Sequence, residues 1–136
     1  MKFKTLTGRE RSIFNLKKYL IDWEASSKSK RQFAVKKYLE KYWGKQIVFE
    51  EFPVAGTKLS LDFFNASKRM AIEVQGEQHT KYVPFFHGSN KINYIAQLKR
   101  DQEKSKFCEL NNIELIEIYP KDPLNKDFFK SYGVTL

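Results

Sequence analysis

A single cysteine, Cys108, is the whole thiol content of the chain. That excludes an intramolecular disulfide and a zinc site built on paired cysteines, so no structural zinc is expected. No apolar run approaches the ~20 residues that a membrane-crossing helix needs. The first residues, MKFKTLTGRERSIF, lack the apolar core of a secretory signal. These absences point to an intracellular protein with no membrane partner. Acidic residues are the next shortage, with 16 Asp plus Glu against 25 Lys plus Arg, a net charge of +9. Such an excess favours a polyanion, because cations that neutralise phosphates release condensed counterions. The plainer reading is charge that serves solubility. An anionic membrane surface is disfavoured, since the basic residues are not gathered on one strongly amphipathic helix.

What the chain does have is length for one domain, 136 residues, and aromatic payload for a core: 12 Phe, 7 Tyr and 2 Trp. There is no internal repeat. Residues 1–27 read as a basic, aromatic arm or short helix, and residues 28–136 as the main domain. Ser26 to Ser29 offers N-caps for a helix that Gly44 ends, with Phe33, Val35, Tyr38, Leu39 and Tyr42 as its apolar side. Ile47 to Phe52 reads as a strand closed by Pro53. A loop carrying both histidines, His79 and His87, precedes a helix from about Ile92 to Leu110. Ile113 to Tyr119 is a further strand, and Leu124 to Tyr132 a last short helix. The expected class is a mixed α/β domain, a mixed sheet flanked by helices in the order α-β-β-β-α-β.

The segment LSLDFFNASKRMAIEVQ, Leu59 to Gln75, alternates with period two in both halves and reads as a hairpin turning within Asn65 to Arg69. Leu59, Leu61, Phe63, Ile72 and Val74 are expected on one face; Asp62, Ala71, Glu73 and Gln75 on the other. The simplest register pairs Asp62 with Glu73. Like charges directly opposed across strands destabilise the pair, so two carboxylates there call for a cation. An oxygen-rich site suits Mg²⁺, which completes its shell with water and substrate phosphate. The plainer reading is two solvated acids paired with Lys68 or Arg69.

Several other residues fall where they could join this site. Gln75 shares the face of Glu73 and could orient a water. His79 follows Glu73 by six residues, just past Gly76, where a tight bend brings an imidazole to the acids as general acid or base. His87 reads either as a second site histidine or as a structural one. Gln97, Arg100, Asp101 and Lys104 make one polar helical stripe, otherwise a solvated face with an ordinary Asp101–Lys104 pair. Lys28, Lys30 and Arg31 could extend the basic track of residues 1–27 along a DNA backbone. Tyr82, Phe85 and Phe86 could wedge between bases, although such rings are more often core.

Asp62-Phe63, Ile72-Glu73-Val74-Gln75-Gly76, His79, Arg100-Asp101 and Ile113-Glu114-Leu115-Ile116, in that order, resemble the PD-(D/E)xK nuclease superfamily. The similarity is to the branch of very-short-patch repair endonucleases and of phage homing endonucleases with an EDxHD motif. It covers roughly residues 30–119, with Asp62 matching the first Asp, His79 the His and Asp101 the last Asp. Two departures stand out. Gln75 replaces the motif lysine, and alignment by helix position puts Gln32 where the leading Glu belongs. Glu40, two turns on, and Glu24, before the helix, are the acidic substitutes.

The resemblance implies a restriction-endonuclease-like fold and a Mg²⁺-dependent DNA endonuclease acting on double-stranded DNA, with Mn²⁺ able to substitute. Asp62, Glu73 and the Val74 carbonyl would hold the metal. Gln75 and His79 would position and activate water, Asp101 would support them, and Arg100 and Lys104 would meet phosphate. A phage-type homing enzyme in the cytoplasm of a bacterial host is the most specific version. A resolvase, mismatch nickase, restriction enzyme or inactive nucleic-acid-binding relative is the alternative. Sequence specificity would then come from the N-terminal segment, the site loop or a homodimer.

Overall fold

Ser29 sets the first helix: in extended conformation, its hydroxyl accepts from Gln32 N at 3.1 Å, and α1 runs Lys30–Trp43. The computed structural model describes residues 1–76 and 91–136. Gly44 ends α1 with an ordinary right-handed φ of −59°. A Cβ there would come within 2.8 Å of the Glu40 carbonyl, so close approach, not a left-handed turn, is what uses the glycine. The buried face of α1 is Gln32, Val35, Lys36, Leu39 and Trp43. The expected face of Phe33, Val35, Tyr38, Leu39 and Tyr42 is therefore displaced by about one residue. Both tyrosines sit at its margin, Tyr38 stacked on Phe129 at 5.8 Å.

The sheet has four strands in the order β3-β4-β5-β6: β3 (Val48–Pro53), β4 (Ser60–Asn65), β5 (Met70–Val74) and β6 (Glu114–Ile118). The first three are antiparallel neighbours, whereas β6 runs parallel to β5. A parallel neighbour needs a long crossover, which includes α2 (Lys91–Leu110). A short α3 (Lys126–Ser131) follows, with the Asn125 side chain accepting from Phe128 N at 2.8 Å. Among the described residues the element order from α1 to β6 is α-β-β-β-α-β, a small α/β domain with a mixed sheet.

Residues 1–27, expected as an arm or a short helix, contain no α-helix. They make a hairpin of β1 (Lys2–Lys4) and β2 (Glu10–Ser12), followed by one 3-10 turn, Leu16–Lys18. Phe3 is buried against Phe52 and Phe64, ring centroids 5.6 and 6.1 Å away. Ile21 N donates to Val48 O, and Glu50 N to Tyr19 O, both at 3.0 Å, so this segment covers the edge of β3.

Each sheet face carries a core cluster. One gathers Phe3, Phe49, Phe52, Leu61, Phe64, Phe107 and Cys108 under the N-terminal hairpin and α2. The other gathers Val35, Leu39, Trp43, Phe63, Ile72, Ile116 and Phe129 under α1 and α3. Leu61 and Phe63 thus lie in opposite clusters, against the regular alternation expected of β4. The cause is Glu51, at φ +54° on the neighbouring strand. Phe49 and Phe52, three apart, consequently share one cluster with centroids 4.9 Å apart. Pairing continues from Glu50↔Phe63 to Phe52↔Leu61 without an inserted residue. The strands therefore twist at the step where Asp62 stands. Among the described residues, no helix is long and apolar enough to cross a membrane.

Candidate active site

The β4–β5 ladder is regular from Asn65↔Met70 to Phe63↔Ile72, the expected register. At the next step the two acids replace it. Asp62 N donates to Glu73 Oε2 at 2.6 Å, and Val74 N donates to Asp62 Oδ2 at 2.8 Å. Each carboxylate is thus held by the other strand's backbone, and both residues are buried, 3 % and 4 % exposed. Charged acceptors bound to backbone N–H groups make short, strong bonds, which fixes both side chains before any ligand arrives.

The remaining oxygens meet two lysines. Lys104 Nζ lies 2.6 Å from Glu73 Oε1, and Lys28 Nζ lies 2.8 Å from Asp62 Oδ1. Neither Lys68 nor Arg69 takes that part: Lys68 donates to the Thr135 carbonyl and Arg69 to that of Asn111. Burial, followed by the Asp62 charge, pushes the Glu73 carboxyl up to about 7, against the opposing pull of Lys104. For Lys28, burial disfavours the charged form, but Asp62, Glu51 and Glu73 outweigh it and hold its pKa above the ordinary lysine value.

A cavity of about 480 Å³ opens on this pair. Its walls include Lys28, Arg31, Gln75, Arg100, Asp101 and Lys104, so four residues expected at the site from α2 and the end of β5, and two at or just before the start of α1, converge there with Asp62 and Glu73. Arg31 Nη2 donates to the Asp122 carbonyl at 2.8 Å, while its buried Nε has no hydrogen-bond partner. Lys30 is exposed, and neither it nor the half-buried Gln97 lines the cavity. Glu40 does not line it either, being paired with Lys37 at 3.4 Å. His79 and His87, with Tyr82, Phe85 and Phe86, lie outside the described residues.

A second layer of charge lies beside the site and was not anticipated from the sequence. Gln32 Nε2 donates to Glu50 Oε2 at 3.0 Å and to Glu51 Oε1 at 3.1 Å. Glu51 Oε1 also lies 3.5 Å from the Lys28 ammonium that holds Asp62. Glu50 Oε1 is paired at 2.7 Å with Lys36, whose side chain is fully buried. Two signals for this were present: consecutive acids in the apolar strand VFEEFP, and a lysine between Val35 and Leu39 on the buried side of α1. Gln32 therefore supplies no charge where the resemblance has its leading Glu; it joins Glu51 to that corner instead.

Asp62 and Glu73 are buried oxygen donors on neighbouring strands, the ligand type a hard divalent cation takes, and a cation there would displace the Lys28 and Lys104 ammonium groups from Oδ1 and Oε1. Among the described residues, no three His, Cys, Asp or Glu side chains cluster as a metal site. A metal bound here would draw on the two carboxylates, a main-chain oxygen, water and substrate.

No family model matches the chain, and no solved structure matches it. It is 39% identical over 66 residues to the uncharacterized protein 094L of frog virus 3 (isolate Goorha), covering 48% of this chain and 43% of that protein. It is 36% identical over 66 residues to the uncharacterized protein 033L of invertebrate iridescent virus 3, covering 48% and 34%. Identity to the uncharacterized protein 307L of invertebrate iridescent virus 6 is 37% over 60 residues, covering 44% and 30%. The matches span less than half the length of each of these relatives. Similar segments thus occur in viral proteins whose names state no activity.

Proposed function

We propose that the protein is a metal-dependent endonuclease that hydrolyses phosphodiester bonds in double-stranded DNA, with a restriction-endonuclease-like core of the PD-(D/E)xK type. The observation that carries this reading is the buried Asp62–Glu73 pair, locked by reciprocal backbone hydrogen bonds at the mouth of a cavity walled by Arg31, Arg100 and Lys104. Mg²⁺ held by Asp62, Glu73 and the Val74 carbonyl, with Mn²⁺ as substitute, would stabilise charge on the phosphate and lower the pKa of bound water. Arg31 and Arg100 bring positive charge to the bound phosphate, where preorganised cations act without reorganising. Gln75 stands beside Glu73 to orient the attacking water, and Asp101 supports it from α2. Lys104 supplies at Glu73 the ammonium that Gln75 cannot. A phage-type homing endonuclease is the narrowest form of this reading.

One observation favours a rival. Lys28 and Lys104 already neutralise both acids without a metal, as they would in a nucleic-acid-binding protein whose site has gone silent. Plasmid cleavage separates the two. Wild type should nick or linearise plasmid with Mg²⁺ and not with EDTA. Asp62→Ala and Glu73→Ala should each abolish cleavage while DNA affinity holds or rises, since each removes negative charge facing phosphate. Cleavage by Asp62→Ala at the wild-type rate would overturn the site assignment, and a Mg²⁺-inert wild type that binds DNA would establish the rival.

A further inference from the structure

Phe14 is 78% exposed, the largest exposure of any aromatic side chain among the described residues, and it is held there by its neighbours. Ile13 before it and Leu16 after it both pack against the first core cluster. Between them Asn15 takes a left-handed φ of +55°, reversing the chain so that Phe14 points away while its flanks stay anchored. A lone exposed ring on a frayed segment would say little; a ring held outward between two partly buried residues that pack on the core is a presented surface.

Beside it lies a cavity of about 430 Å³, separate in its lining from the Asp62–Glu73 site and within the size range of small-molecule pockets. Its only charged wall residues are Arg11 and Lys58, both exposed and neither in an ion pair among the described residues. Tyr19 closes one side, with Lys18 Nζ 5.6 Å from its ring centre. Gly56 shapes the floor: at φ +83° it makes the turn, and a Cβ there would meet Thr5 at 3.0 Å. An exposed ring, a second ring, two wall cations and the neighbouring Lys18, with no acid on the wall, complement a π-face carrying anions, the chemistry of a nucleotide.

We infer that Phe14, Arg11 and Lys58 form a subsite for an unpaired base of a nucleic-acid strand, the base stacked on Phe14 and its flanking phosphates held by Arg11 and Lys58. Stacking on an exposed ring requires a base outside the helix, so the subsite selects a single-stranded, bulged or terminal nucleotide over a paired one. Lys58 stands four residues before Asp62, a chain span of no more than about 14 Å, so one strand reaches both places within a few nucleotides. The subsite does not depend on hydrolysis at Asp62 and Glu73.

The test uses two DNA hairpins of one sequence, fully paired or with a single bulged 2-aminopurine, titrated in EDTA so that cleavage plays no part. Wild type should quench the 2-aminopurine and bind the bulged hairpin about tenfold more tightly, the order expected for one stacked base. Phe14→Ala should lose both the quench and the preference at unchanged salt slope; Phe14→Trp should keep both. The Arg11→Ala/Lys58→Ala double variant should keep the preference while its log–log salt slope falls by about 1 to 2, as for one or two lost phosphate contacts. Equal binding of both hairpins by wild type, or full preference in Phe14→Ala, would overturn the inference. So would Phe14-dependent binding to phosphatidylserine vesicles with no effect on DNA.

Discussion

At the residue scale, the controlling fact is that acids and lysines are buried together. Lys36 spends its ammonium on Glu50 at 2.7 Å and on the carbonyls of Asp22 and Ala25 at 3.0 and 2.7 Å. It thereby ties the chain before α1 to β3. Removing one member of a buried ion pair leaves its partner's charge unpaired and costs about 3–5 kcal/mol, whereas replacing both with apolar residues is often close to neutral. Lys36→Met should therefore lower the urea midpoint by a corresponding amount, and Lys36→Met/Glu50→Leu should recover part of the loss. A single variant that costs under about 1 kcal/mol would show that the pair is not desolvated as the structure has it.

At the element scale, Glu51 decides which residues face which core. Its left-handed backbone breaks the alternation of β3, and β4 follows, sending Leu61 and Phe63 to opposite faces. That conformation costs an L-residue roughly 1–2 kcal/mol and a glycine little. The Glu51 carboxylate offsets part of that, accepting from Gln32 at 3.1 Å and from Ser60 at 3.0 Å, while its 3.5 Å contact with Lys28 is partly exposed. Glu51→Gly should consequently be close to neutral in thermal melts, strain relief being set against the lost Gln32 and Ser60 hydrogen bonds, and Glu51→Val clearly less stable, since a β-branched residue is poorly tolerated at φ +54°. Equal melting temperatures for the two variants would show that the twist does not depend on this residue.

At the scale of the whole molecule, a net charge of +9 with arginines and lysines at both cavities makes association with a polyanion strongly electrostatic. Each phosphate neutralised on duplex DNA contributes roughly 0.9 to the slope of log K against log salt. Binding isotherms in EDTA at several salt concentrations should give a slope of about −3 or steeper, corresponding to three or more phosphates. A slope near zero would sink the polyanion reading whatever the enzymology.

The hairpin, its register and the opposition of Asp62 to Glu73 were determined by the sequence, because period-two alternation around a short polar turn leaves one simple pairing. The same holds for α1 and for β6: a Ser29 cap and Gly44 stop for the one, an apolar run bounded by Asn112 and Pro120 for the other. Local patterning could not specify that Lys28 reaches Asp62 from 34 residues away, or that Lys104 reaches Glu73 from 31. Nor could it show that strands of three residues build the N-terminal hairpin, whose stability comes from Phe3 inserted among distant phenylalanines. The left-handed turn at Glu51 belongs with these, since φ there is chosen by packing on both sides of the sheet. Short-range periodicity fixes elements; the partners of buried charges and the twist of a strand depend on which elements meet, and only the tertiary structure brings them together.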